Sequence, residues 1–97
     1  MNYNIRVVFD IKRCAFLGVS AEAVQFWDRG NGAKFLENLL ADYLCFLNVN
    51  DLLELENWYC ERDIYKDFST NIFRIKEKKL RVLGNDKQFL QVKLEPV

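Results

Sequence analysis

The stretch Phe73-Arg74-Ile75-Lys76-Glu77-Lys78-Lys79-Leu80-Arg81-Val82 decides the fold, because its side chains sort into two faces with one change of phase. If the chain turns at Glu77-Lys78, Phe73 faces Val82 and Ile75 faces Leu80 on one side. Arg74 then faces Arg81 and Lys76 faces Lys79 on the other, since strand side chains alternate with period two. Like charges opposite one another destabilise a sheet. A chain with no net charge, 14 Lys and Arg against 14 Asp and Glu, thus has a reason to keep four cations on one face, and an anionic partner such as RNA supplies it. A rival reading makes residues 69–83 a helix with Ile72, Ile75, Leu80 and Leu83 inward and Gly84 as its stop. The helix mixes Lys76 and Lys79 into the apolar stripe and leaves Phe73 and Val82 off it, so the hairpin is preferred. Glu77-Lys78 lacks the Asn or Gly of a tight turn, which calls for a longer loop in the same register.

Before this stretch, Tyr3, Ile5, Val7, Phe9 and Ile11 alternate with Asn4, Arg6, Asp10 and Lys12, broken only by Val8, the pattern of a half-buried strand. Ser20 is placed to cap a helix with Ala21, Val24 and Trp27 or Phe26 inward and Glu22 in its first turn. Gly30-Asn31-Gly32 ends it. A longer helix over residues 33–47 carries Leu36, Leu39, Leu40, Tyr43, Leu44 and Leu47 as one apolar stripe. Residues 52–60 read either as a short helix or as a strand with Leu53, Leu55 and Tyr59 on one side, the helix being favoured for the first part. Phe89 to Leu94 forms a last strand with Leu90, Val92 and Leu94 inward, closed by Pro96. The expected fold is α+β: an N-terminal strand, a helical pair, then C-terminal antiparallel strands in one small sheet with helices on one face.

Ninety-seven residues, half of them apolar and eight of them Phe, suit one domain spanning 1–97 with a modest core. Cys14, Cys45 and Cys60 are odd in number and far apart, and Met1-Asn2-Tyr3-Asn4 opens no secretory leader, which points to a reduced, cytoplasmic protein. No apolar run approaches the length of a membrane span. The sequence has no His, which removes the commonest general base and imidazole metal ligation. With no Cys-x-x-Cys pair or phosphate-binding loop, neither a metal nor another cofactor is expected. Glu54 and Glu56 read as solvated carboxylates. Trp27 reads as core, and Trp58-Tyr59 as a candidate exposed anchor.

Phosphate chemistry does not require His: Arg grips a phosphate bidentately and Lys adds a point charge. Arg74, Lys76, Lys79 and Arg81 are the candidates, against the plainer reading that they are the wet face of an amphipathic hairpin. The order strand, two helices, sheet, with Ile72-Phe73-Arg74-Ile75-Lys76 followed by Leu80-Arg81-Val82-Leu83-Gly84, resembles the RelE/ParE/HigB superfamily of toxin-antitoxin toxins, particularly its HigB-like, phage-associated branch. Ala23-Val24-Gln25-Phe26-Trp27-Asp28 and Phe35-Leu36-Glu37-Asn38-Leu39-Leu40 sit where that branch has its helical pair. The resemblance implies a cytoplasmic, metal-independent endoribonuclease that docks messenger RNA at the ribosome, with a cognate antitoxin as partner. Arg74 and Arg81 would hold the scissile phosphate, and Lys76 and Lys79 would support substrate binding. The chain departs from that family in its neutrality and in ending Leu94-Glu95-Pro96-Val97 without a basic tail. A second resemblance, through Glu37-Asn38-Leu39, Ala41, Cys45 and Leu53-Glu54-Leu55, is to barstar-type ribonuclease inhibitors, although Leu40 and Leu44 stand where those present acids. It implies a non-catalytic immunity or anti-defence protein that binds and neutralises a toxin or nuclease.

Overall fold

The computed structural model describes residues 4–43, 46–55, 62–84 and 87–97. The chain runs β1 (Ile5–Phe9), α1 (Ile11–Phe16), α2 (Ala21–Asp28), α3 (Asn31–Ala41), β2 (Leu52–Glu54), α4 (Ile64–Phe68), β3 (Ile72–Val82) and β4 (Gln88–Pro96). It is an α+β fold around one four-stranded sheet in the order β1-β4-β3-β2. β3 is antiparallel to both β2 and β4, whereas β1 runs parallel to β4 with Val7 beside Val92, so the sheet is mixed. A parallel neighbour requires a long crossover, and here the whole chain from α1 to β3 lies between the two strands.

The decisive stretch is neither the expected hairpin nor the rival helix. β3 is a continuous strand of eleven residues, and its change of phase is a bulge: Ile75 lies opposite Leu94 and Glu77 opposite Lys93, leaving Lys76 as the extra residue. A bulge adds one residue to one strand of an antiparallel pair and shifts the alternation beyond it. Phe73 and Ile75 therefore share a face with Leu80 and Val82, while Arg74, Lys76, Lys79 and Arg81 share the other. The expected sorting of faces is present, but the turn lies at Gly84 (φ 76°), where Leu83 N–H donates to Lys87 C=O over 2.8 Å. A positive φ suits glycine because no Cβ obstructs it.

The inner face of the sheet supplies Val7, Phe9, Phe73, Ile75, Val92 and Leu94 to a core closed by Trp27, Leu36, Leu40, Ile64 and Phe68. Phe68 is its hub, stacked on Phe9 with ring centroids 5.1 Å apart and edge-on to Phe73 at 5.2 Å. Each such side chain, fully buried, contributes about 1.5–3 kcal/mol. Ser20 Oγ accepts the Ala23 N–H at 3.1 Å and caps α2, as its position implies. Gly32 lets α3 approach α2, since a Cβ there would lie 2.6 Å from the Trp27 ring. Trp27 is core, as expected, and its indole N–H donates to Asp67 Oδ2 at 2.7 Å. Burial opposes ionisation of Asp67, but the bonds from Arg62 and Trp27 outweigh it and hold the carboxyl below its ordinary value.

Other expectations need correction. The first strand stops at Phe9 because Asp10 accepts the Arg13 N–H and caps α1, which leaves Ile11 on a helix and exposed. α3 begins at Asn31 and ends at Ala41, so Tyr43 lies beyond it, exposed. The first part of residues 52–60 is a strand, because Leu52, Leu53 and Glu54 pair with Arg74, Phe73 and Ile72. The expectations for Leu44, Cys45, Glu56, Trp58, Tyr59 and Cys60 fall outside the described residues. Among the described residues, no helix is long and apolar enough to cross a membrane.

Candidate nucleic-acid interface

The core takes alternate residues of each strand, so the others project from the outer face of the sheet. On β1 these are Arg6 and Val8; on β4 Phe89, Gln91, Lys93 and Glu95; on β3 Arg74, Glu77, Lys79 and Arg81. Strand pairing sets Arg6 beside Gln91 and Gln91 beside Lys79, with Arg81 beside Phe89 and Glu77 beside Lys93. The bulge divides this face into two halves of different character.

The half nearer the start of β3 is neutralised. Arg74 Nη1 lies 3.3 Å from Glu95 Oε1, and Lys76 Nζ binds Asp10 and lies 3.9 Å from Glu95 Oε2. The Lys76 hydrogen bond is the main cause holding the Asp10 carboxyl below its ordinary value, with burial opposing and the Arg13 N–H assisting. The same bond raises the Lys76 ammonium above its usual range.

The far half keeps an excess of positive charge. Lys79 pairs with Glu77 at 3.8 Å, Arg81 Nη1 lies 3.5 Å from the neutral Gln91 Oε1, and the Arg6 guanidinium lies over the Phe89 ring, 4.7 Å from its centroid. Arg6, Lys79 and Arg81 are exposed, and Phe89, Gln91 and Lys93 are half-buried. Beside the Arg6–Phe89 pair opens a cleft of about 690 Å³ whose walls include Asn4, Lys34, Asn38 and Lys87. Glu37, also on that wall, is pushed up by burial, against the Arg6 charge and a bond from the Val7 N–H that favour its ionised form.

Four candidate residues thus share a face without forming one site. Arg74 and Arg81, expected opposite each other, are seven positions apart on one strand, roughly 20 Å at the usual strand rise. Two guanidinium groups so separated do not meet on a single phosphate. Lys79 and Arg81 join instead with Arg6, Phe89, Gln91 and Lys93, which the sequence reading passed over. Their signal was present: each is the outward neighbour of an inward residue on a recognised strand. The missing information was that β1 and β4 are adjacent, a long-range pairing that no local pattern encodes.

The geometry suits phosphate binding by separate cations along a strand of nucleic acid, with Phe89 and the Arg6 guanidinium plane as a stacking surface. Among the described residues, no group of three or more Cys, Asp or Glu is placed to hold a metal. The Cys14 thiol is buried and raised to about 11, chiefly by that burial, which makes it a poor nucleophile. Comparison of the chain with family models, curated proteins and solved structures gave no match.

Proposed function

We propose that the chain binds single-stranded RNA on the outer face of its sheet, in the manner that its resemblance to the RelE/HigB-like toxins implies, and acts on messenger RNA at the ribosome. The observation that supports this reading is the placement of Arg6 and Arg81 beside Phe89, with Lys79 and Lys93 further along the same face and Glu77 between those two. An open sheet face with cations for phosphates and an aromatic for a base is a recurrent solution for single strands. Within this reading Arg81 is the principal phosphate ligand, Lys79 supports it, and Arg74 and Lys76 hold the sheet to Asp10 and Glu95.

The test is induced expression in bacteria, reading growth and total protein synthesis, beside RNA binding by the purified chain. Arg81→Ala relieves the arrest and weakens binding, while Arg74→Ala has a much smaller effect on both. Equal effects of the two substitutions, or full arrest by folded Arg81→Ala, reject the assignment. A non-catalytic binding role, as in an immunity protein, is favoured by one observation: Arg74 and Arg81 lie too far apart to grip one scissile phosphate together. Its mark is RNA or protein binding without cleavage and without a growth defect.

A further inference from the structure

The two free margins of the sheet are built differently. At β1, the outward N–H of Phe9 donates to Asp28 Oδ1 at 2.9 Å. A side-chain carboxylate thus occupies a backbone donor that would otherwise pair with another strand. At the opposite margin, β2 covers β3 only from Ile72 to Arg74, and Ile75 still exchanges bonds with Asn50 and Asp51. Beyond that point no strand lies against β3 among the described residues. Because Leu83 directs its N–H at Lys87 across the turn, alternation aims the backbone groups of Leu80 and Val82 away from β4 and out of the sheet.

Side chains at this margin match the exposed backbone. Leu80 is 56% exposed, Val82 66% and Leu83 57%, although Leu80 and Val82 project to the face that elsewhere forms the core. Lys79 and Arg81 alternate with them on the outer face. An RNA strand would satisfy the cations, but it offers no alternating backbone donors and acceptors and would not cover the two apolar side chains. A second copy of the chain is disfavoured by charge: antiparallel self-pairing centred on Leu80 sets Lys79 of one copy opposite Arg81 of the other, twice.

We propose that this margin of β3 receives an extended, acidic segment of another protein as a fifth strand, with apolar residues covering Leu80 and Val82 and carboxylates facing Lys79 and Arg81. Main-chain bonds supply affinity in such strand addition, and the alternating side chains supply the choice of partner. The inference stands on the margin of the sheet and its charges, independently of the RNA reading. It has a consequence for that reading, because an acidic strand at Lys79 and Arg81 competes with RNA for the same cations.

The test is an NMR titration of the full chain with a synthetic peptide alternating Val and Glu, beside a control alternating Val and Lys. Saturation with the acidic peptide slows amide exchange at Leu80 and Val82, and the basic peptide has no effect. Leu80→Asp, shown folded by unchanged Phe9 and Leu94 amide shifts, weakens acidic-peptide binding about tenfold or more, the cost of roughly 1.4 kcal/mol. Unchanged exchange at Leu80 and Val82, equal response to both peptides, or equal protection of these amides by oligouridylate overturns the proposal. Oligouridylate that fails to shift Arg6 and Phe89 counts against the RNA reading alone.

Discussion

Asp10 does two jobs that a single substitution separates. One oxygen caps α1 by accepting the Arg13 N–H at 3.2 Å, and the other binds the Lys76 ammonium, with the residue only 8% exposed. Asn is as good a cap as Asp, so Asp10→Asn keeps the cap and removes the charge from the ion pair. The Asp10 carboxyl is held below its ordinary value in the folded chain. Its contribution is therefore present above the unfolded value, about 3.9, and is lost as pH falls through the folded one. At neutral pH, Asp10→Asn should lower stability, modestly because Lys76 is half-exposed. Urea unfolding at a series of pH values checks this: the gap between the two proteins narrows on acidification below about pH 4. Parallel curves would show that the pair contributes nothing.

At the scale of the element, β3 explains both what was legible in the sequence and what was not. A two-residue turn and a bulge each shift the phase of alternation by one position, so Phe73, Ile75, Leu80 and Val82 fall on one face under either reading. The face of each residue could be read from the pattern; the direction of the chain after Ile75 could not. Cap residues were legible where their side chains act locally, as at Ser20, and Asp10 was missed because Ile11 extends the strand alternation by chance. β2 was one of two readings of its segment and lost to a helix because Leu52–Glu54 is short and owes its conformation to pairing with β3. The bulge makes a prediction that a turn does not. Deleting Lys76 removes the extra residue and leaves Glu77 opposite Lys93, Lys79 opposite Gln91 and Leu80 opposite Leu90, as they are now. Cross-strand proton contacts at these three pairs should persist in the deletion variant, which loses only the bend and the bond to Asp10. Their disappearance in a folded variant would refute the bulge.

Across the whole molecule, neutrality conceals a strong separation of charge. Residues 76–93 carry six Lys or Arg against Glu77 and Asp86, leaving eight cations and twelve carboxylates for the rest of the chain. The fold thus places a basic hairpin on an acidic body, which orients an approaching polyanion even though the net charge supplies no attraction. Body and hairpin meet where Asp10 and Glu95 neutralise Arg74 and Lys76. If the outer face binds RNA, only cations beyond that junction release counterions, and each phosphate contact on a single strand contributes about 0.7 to the slope of log affinity against log salt. Arg81→Ala and Lys79→Ala should each lower the slope by about that amount. Arg74→Ala should leave it nearly unchanged, because Glu95 already compensates that charge. Fluorescence anisotropy with a labelled oligouridylate across a salt series measures all three. Equal losses of slope at Arg74 and Arg81 would mean that RNA responds to the total charge of the strand, and the division of the face at the bulge would then have no part in binding.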